Sequence, residues 1–193
     1  KAEEAVGMLD SLLAPPDAGA ELTKKYKNLG SAYGALPGAN LVAVSLPGKF
    51  AKLEVGKAID TGLHTFLFSD NLTIDEEIEL KERARERGLL VMGPGCGTAI
   101  LNGVGLGFAN VLDRGPVGMI AASGTGLQEV SCLINNAGIG ISHAIGVGGR
   151  DLSEDVGGIM TLEALTLLEK DEATEFLVLV SKPPSKNVAE KIL

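Results

Sequence analysis

The residues best suited to bind an anion stand in a short turn, Ser123-Gly124-Thr125. The turn follows the apolar run 117–121 and leads into the amphipathic segment 125–136. Hydroxyls and unpaired amides at the start of a helix bind phosphate or carboxylate groups. The tripeptide is equally compatible with a plain strand-to-helix turn, so both interpretations stand at this level.

A second turn of this kind, Gly146-Val147-Gly148-Gly149-Arg150-Asp151, follows the strand pattern 141–145. Glycines allow the backbone to approach a ligand closely, and Arg150 offers an anion two parallel donors. The alternative is that Arg150 pairs with Asp151 or Glu154. The spacing fits neither the dinucleotide-binding nor the nucleoside-triphosphate glycine motif.

The sequence gives less support to chemistry performed by a cysteine thiol or a histidine imidazole. The run 93–98 surrounds Cys96 with glycines, but no cation lies beside it in sequence to lower its pKa, which favours a small buried residue. His143 lies in a strand pattern, where packing is the more common role. The chain has two cysteines and two histidines at spacings that fit no zinc motif, so we expect reduced thiols and no metal site.

Strands and helices alternate along most of the chain. The periodicity predicts strands over 41–46, 63–68, 89–92, 117–121, 141–146 and 176–180, and helices over 48–60, 73–88, 125–136 and 162–170. This pattern predicts an α/β fold with parallel sheets, in which ligands bind at the carboxyl ends of the strands. Residues 1–36 form a separate helical segment, with one helix over 20–33, and a domain boundary falls near 113–116.

Along the helix predicted from Thr73, acidic residues come first and basic residues follow. Thr73 and Glu76 form a capping box, acidic residues fill the first turn, and basic residues follow toward Gly88. Both ends complement the helix dipole. We therefore interpret the charges as a solvated face.

Composition excludes several classes of function. The formal net charge of −8 argues against binding to nucleic acid or to an anionic membrane surface. The uncharged stretch 88–112 holds seven glycines and several polar residues, which disfavours a transmembrane helix. We expect a cytoplasmic protein. Only three charged residues lie between Gly88 and Gly149, which predicts a homo-oligomer or a partner subunit.

Four motifs, in order, resemble the α subunit of succinyl-CoA synthetase. They are Pro47-Gly48-Lys49-Phe50-Ala51, Gly93-Pro94-x-Cys96, Gly118-Met119-Ile120-x-x-Ser123-Gly124-Thr125 and Gly146-Val147-Gly148-Gly149-x-Asp151. Within that superfamily, the runs 121–126, 143–152 and 181–184 look like the FdrA branch of acyl-CoA synthetase-like proteins. The resemblance implies a partial Rossmann-like CoA-binding domain over 37–113 and a partial flavodoxin-like ligase domain over 114–193, in a chain truncated at both ends.

The resemblance also implies roles for particular residues. It places four of them on the CoA side: Pro47, Phe50, Pro94 and Cys96. The anionic substrate would meet Ser123, Gly124, Thr125, Gly148 and Gly149, with Arg150 and Lys182 suited to a doubly charged phosphate. CoA is the implied cofactor; a nucleotide with Mg²⁺ is compatible with it, although no residue is assigned to either.

Two departures from the ligase pattern leave the reaction open. Gly95 stands where the ligase has an asparagine, and Ser181-Lys182-Pro183-Pro184 stands where it has a glycine-rich run with a glutamate. The phosphohistidine of the ligase would lie beyond Leu193. Three functions remain: a CoA-ligase-type subunit, a subunit of a carbamoyltransferase that acts on carbamoyl phosphate in ureide or oxamate breakdown, and a non-catalytic partner that keeps the fold.

Overall fold

A computed structural model describes residues 24–193, which divide into two compact units at Pro37. In the first unit the described part holds one helix, α1 (Leu29–Ala35), which begins after a capping box between Asn28 and Ser31. The predicted helix over 20–33 therefore begins later than expected within the described residues. Residues 1–23 of the segment 1–36 lie outside the described part.

The second unit, residues 38–193, holds the α/β fold. Its elements in chain order are β1 (Leu41–Val44), α2 (Gly48–Thr61), β2 (His64–Leu67), α3 (Ile74–Arg85), β3 (Val91–Met92), β4 (Thr98–Leu101), β5 (Val104–Gly107), β6 (Val117–Ala121), α4 (Gly124–Asn136), β7 (Ile141–Gly146), α5 (Ile159–Leu168), β8 (Phe176–Val180) and α6 (Lys186–Ile192). The predicted α/β class is confirmed.

The strands form two sheets. Strands β1, β2 and β3 make a parallel three-stranded sheet, and the other five make a sheet of order β5-β4-β7-β6-β8. In the second sheet β7, β6 and β8 run parallel, whereas β4 is antiparallel to both β5 and β7. The expectation of wholly parallel sheets is therefore wrong at β4 and β5.

The antiparallel pair is a hairpin that the glycine-rich composition concealed. Asn102 and Gly103 connect β4 to β5, and both have positive φ, 51° and 80°. Two such residues in a two-residue connection suit the twist of a hairpin. Both strands precede residue 113 yet belong to the second sheet; the division of the chain at 113/114 stays a prediction.

Two apolar clusters hold the unit together. The larger joins the first sheet to α5 and to the far side of β6 and β7; fully buried members include Val55, Leu67, Met92, Ile120 and Met160. The smaller lies between α4 and the second sheet, around Met119, Leu127 and Ile141. Burial on both faces explains why β6 is a continuous apolar run.

Helix α3 begins with the predicted capping box, in which the Thr73 hydroxyl accepts from the Glu76 amide and Glu76 accepts from the Thr73 amide. Its charges, however, do not all face solvent. Glu77 and Lys81 are 1% and 0% exposed. The interpretation of this helix as a solvated charged face is therefore wrong for these two residues.

None of the helices within residues 24–193 combines the length and the apolar character that crossing a membrane requires.

Candidate functional site

Three loops meet at the carboxyl edge of the second sheet. They follow the neighbouring parallel strands β7, β6 and β8, at Gly146, Ala121 and Val180 respectively. Such loops line the ligand crevice of an open α/β sheet. Together with the segment 95–98 they enclose a cavity of about 340 Å³.

The cavity contains seven of the residues that the sequence analysis singled out: Cys96, Ser123, Gly124, Thr125, Gly148, Gly149 and Lys182. The four others, Pro47, Phe50, Pro94 and Arg150, do not line it. Gln128 lines it too, although the sequence analysis did not select it.

Helix α4 points its amino end into this cavity. Ser123 is the N-cap, and its hydroxyl accepts a hydrogen bond from the Gly126 amide at 3.2 Å. Gly124 and Thr125, the first two residues of the helix, have amides without a partner in the helix and are exposed. These amides and the helix dipole favour an anion at this position.

The loop after β7 is shaped by close backbone packing. Gly148 has φ +90°, and a Cβ added there would lie 2.7 Å from the carbonyl carbon of Gly93. A Cβ added at Gly146 would lie 2.6 Å from the Cys96 sulfur. Only glycine fits at these two positions, so the sequence brings the loop after β7 against the segment 93–96.

Cys96 contributes a neutral thiol to the cavity wall. Its sulfur donates toward the carbonyl oxygens of Thr98 and Gly146 at 3.5 and 3.4 Å. Burial raises the pKa of the Cys96 thiol to about 11. Because a thiolate is the reactive form, this cysteine is not an activated nucleophile at neutral pH.

Lys182 supplies the cationic side chain of the cavity. It lies in the loop after β8, is exposed, and its Nζ would be 3.7 Å from a Cβ placed on Gly149. The opposite wall is fixed by Gln128, whose Nε2 donates to the Thr98 hydroxyl at 2.8 Å and to the Phe108 carbonyl at 3.1 Å. The Gln128 amide is thereby oriented by the hairpin segment and not by a ligand.

The structure places the remaining predicted residues elsewhere. Pro94 and Arg150 line a separate cavity of about 370 Å³ beside the start of α3. Pro47 and Phe50 are exposed, and the Lys49 ammonium lies 4.8 Å from the centre of the Phe50 ring.

Arg150 is held by protein groups. Its Nε donates to Glu77 Oε2 at 2.8 Å, and its Nη2 donates to the Leu72 carbonyl at 3.0 Å. Arg150 therefore does not join the residues of the glycine-rich cavity. Sequence analysis considered only the near neighbours Asp151 and Glu154 as partners; the actual partner lies 73 residues away.

Behind the loop after β7 lies an ionic cluster in which Glu77, Lys81 and Asp151 are buried, whereas the side chain of its fourth member, Arg150, is 43% exposed. Lys81 Nζ donates to Glu77 Oε1 and Asp151 Oδ1, both at 2.7 Å, and to the Val147 carbonyl at 3.0 Å. Two carboxylates and two cations balance one another, so the cluster is neutral.

Asp151 also connects this cluster to helix α5. Its Oδ1 accepts from the Met160 amide at 3.2 Å, and its Oδ2 accepts from the Thr161 amide and hydroxyl at 2.9 and 2.7 Å. The first turn of α5 lacks a side-chain N-cap, and Asp151 supplies the missing acceptor. The loop after β7 is thus fastened to both α3 and α5.

The described residues contain no group of three or more His, Cys, Asp or Glu side chains placed to bind a metal ion.

Comparison with known proteins agrees with this architecture. A family model described as a CoA binding domain matches residues 113–193, which include the parallel strands of the second sheet. The resemblance in sequence had assigned the CoA-binding-type domain to 37–113.

Curated relatives cover most of the chain. The uncharacterized protein YahF of Escherichia coli K12 is 49% identical over 169 residues, 88% of this chain and 33% of that protein. The ADP-forming sulfoacetate–CoA ligase subunit SqwL of an Acholeplasma species is 29% identical, over 77% of this chain and 52% of that protein. The succinate–CoA ligase subunit alpha 1 of Archaeoglobus fulgidus is 27% identical, over 75% and 50%.

Solved structures share the fold. PH0766 of Pyrococcus horikoshii aligns with a TM-score of 0.65 at 22% identity, covering 88% of this chain and 40% of that chain. The ATP citrate lyase of Methanothrix soehngenii aligns with a TM-score of 0.68 at 18% identity, covering 80% and 26%.

These findings establish what the chain is similar to. It has an α/β fold, its residues 113–193 match a model of a CoA binding domain, and it is similar in sequence to the α subunits of succinate–CoA ligases and to related ADP-forming CoA ligase subunits. It spans between a third and about half of the length of the curated relatives described.

Proposed function

We propose that this chain is part of an FdrA-type acyl-CoA synthetase subunit, and that the cavity at the carboxyl edge of its second sheet binds the acyl or phosphoryl anion. One observation carries the proposal: the first amides of α4, the loop Gly148-Gly149 and Lys182 all line one cavity. Backbone amides at a helix start, with one cation, form an anion site. The homology to CoA ligases supplies the substrate class.

CoA fits the residues present. The cavity offers amide and ammonium donors for a thioester carbonyl or a phosphate. The segment around Pro94 and Cys96 would hold the pantetheine side of CoA, with Pro47 and Phe50 as further CoA-side candidates. When bound, CoA supplies the thiol that takes up the acyl group.

In this proposal the chain's own residues bind and orient. The amides of Gly124 and Thr125 hold the anionic oxygens, while Lys182 neutralises their charge from the side of β8. Cys96 stays a neutral thiol and fills the wall. The relatives are named as subunits, which supports a partner subunit for this chain as well.

Lys182 favours a second candidate function. Where the resembled ligase has a glutamate after the last strand, this chain has Lys182, whose ammonium lies beside Gly149. A cation here suits a doubly charged phosphate group. The alternative is therefore an FdrA-type subunit of a carbamoyltransferase that takes carbamoyl phosphate.

The deciding experiment is calorimetric titration of the purified protein with CoA, repeated with carbamoyl phosphate. Saturable CoA binding that carbamoyl phosphate leaves unchanged supports the ligase subunit. A carbamoyl phosphate isotherm without CoA binding supports the carbamoyltransferase. Binding of neither would contradict both and favour a non-catalytic partner.

The site assignment is tested with a matched pair of lysine variants. Lys182→Ala should weaken binding of the anion about tenfold, because a hydrogen bond to a charged group contributes about 1.5 kcal/mol or more. Lys186→Ala, which removes an 88% exposed lysine on α6, should leave binding unchanged. Equal affinities of the two variants would show that Lys182 does not contribute to anion binding.

A further inference from the structure

A third cavity opens at the other edge of the sheets, and the proposed function makes no use of it. Its volume is about 580 Å³, within the range of pockets that bind small organic molecules. Leu41 and His64, the first residues of β1 and β2, line it. It therefore lies at the amino ends of these strands, away from the glycine-rich loops.

The cavity is deep and mainly apolar. Nine of its fourteen lining side chains are apolar, and three of these, Met92, Ile145 and Leu168, are 1%, 2% and 3% exposed. A floor of buried hydrocarbon favours an apolar ligand, since each contact removes apolar surface from water.

His64 supplies a hydrogen-bond donor to this apolar wall. The Leu90 amide donates to His64 Nδ1 at 3.0 Å, so the proton of the neutral ring is on Nε2. Within residues 24–193 no acceptor lies at hydrogen-bond distance from that Nε2. Burial lowers the pKa of His64, which keeps the ring neutral at pH 7.

The second histidine of the cavity is already engaged. His143 Nδ1 accepts from the Asn102 amide at 3.1 Å, and its Nε2 lies 3.5 Å from Asp171 Oδ2. A hydrogen bond from the Thr174 hydroxyl, above all, lowers the pKa of Asp171, so this carboxyl is ionised at neutral pH. Among the lining side chains, Asp171 carries the charge, and it repels anions.

We propose that this cavity binds an uncharged, mostly apolar small molecule with one hydrogen-bond acceptor, which accepts from His64 Nε2. The ligand differs in chemistry from the anion of the glycine-rich cavity. The inference stands on geometry at the amino edge alone and does not depend on the proposed function.

The first test is a fluorescence titration with N-phenyl-1-naphthylamine, an uncharged probe that brightens in apolar sites. The unaltered protein should show saturable enhancement. Leu167→Trp, which adds bulk to the half-buried wall, should weaken binding at least tenfold. Leu53→Trp is the matched control, because Leu53 is 62% exposed on α2 and does not line the cavity.

The second test addresses His64 with two competitors, 2-acetylnaphthalene and 2-ethylnaphthalene. The unaltered protein should bind the ketone about fivefold more tightly, the worth of one hydrogen bond. His64→Asn keeps an acceptor for the Leu90 amide but removes Nε2, and should abolish the preference.

Absence of saturable enhancement in the unaltered protein, or equal affinity in the two tryptophan variants, would overturn the cavity as a binding site. Equal affinity of the unaltered protein for the two competitors would overturn the assignment to His64. Circular dichroism melting of each variant separates lost binding from lost folding, and His64→Asn provides the second variant should Leu167→Trp unfold.

Discussion

The two edges of the sheets are lined by different kinds of chemical group. At the carboxyl edge, glycines and helix-start amides leave backbone donors facing a cavity that Lys182 also lines. At the amino edge, leucines, a methionine and an isoleucine form the walls, and the polar groups there are mostly paired with the backbone. One edge thus offers donors to an anion, whereas the other offers hydrocarbon.

The support behind the two edges differs as well. The loop after β7 is fixed from behind by charges, through Lys81 and Asp151. The amino-edge cavity is lined mainly by apolar side chains, several of them from α5, the hairpin and β7. Loss of one partner from a buried ion pair is strongly destabilising, because it leaves the other charge buried and uncompensated.

The largest effect should follow from removal of Lys81. Lys81→Met would leave Glu77 and Asp151 buried with a net negative charge, which costs about 3–5 kcal/mol of the free energy of unfolding. The control is Arg85→Met on the same helix, whose side chain is 49% exposed; a surface change of this kind costs about 0.5 kcal/mol or less. Urea unfolding measures both, and similar losses would contradict a special role for the buried cluster.

A smaller effect is expected from Gly148→Ala. Alanine there meets both the strain of φ +90° and the close approach of Gly93. Gly157→Ala meets a similar strain, at φ +74°, with no atom within 4 Å of the new Cβ. The first variant should therefore be less stable than the second by about 1–3 kcal/mol, the cost of overpacking. Thermal unfolding compares the two variants. Equal stability would mean that the loop shifts to accommodate the new Cβ at no cost in stability.

Loss of the α4 cap comes next. Ser123→Ala removes the acceptor of the Gly126 amide and should cost about 1 kcal/mol. Ser123→Asn, which can also cap a helix, should restore most of this stability. If the asparagine variant is as unstable as the alanine variant, the hydroxyl contributes something other than capping.

The smallest effect concerns pH and tests the amino edge. Burial lowers the pKa of His64 and of His143 below the usual 6.5. As the pH falls below about 6.5, the unfolded chain takes up protons at these rings before the folded chain does, so the folded state loses stability. Between pH 7.5 and 5.5, the melting temperature of the double variant His64→Asn, His143→Asn should change less than that of the unaltered protein. A melting temperature that falls more steeply with decreasing pH in the double variant would contradict this prediction.

Much of the carboxyl edge could be predicted from sequence. Strands β6, β7 and β8 have the predicted bounds, because each is a mainly apolar run between turn residues. Ser123 before an amphipathic run predicts a helix start. Since parallel strands end at one edge, the convergence of their loops follows from the order of elements.

The parts that escaped prediction depend on distant contacts. The spacing of Glu77 and Lys81 is that of an ordinary surface pair; Asp151, 70 residues from Lys81, makes it a buried cluster. The β4–β5 hairpin has a local signal in Asn102-Gly103, but its glycines resemble a ligand loop. The amino-edge cavity has no sequence signature, because its walls come from many elements.

The contact of Lys81 with Val147 and Asp151 also bears on how the protein folds. Residues 113–193, which match the CoA-binding family model, bury Asp151 against a lysine from outside that stretch. A chain cut at residue 113 would have to leave this carboxylate uncompensated or rearrange the loop. We therefore expect the two sheets to unfold in one cooperative transition, with the loop after β7 ordered only once α3 has docked.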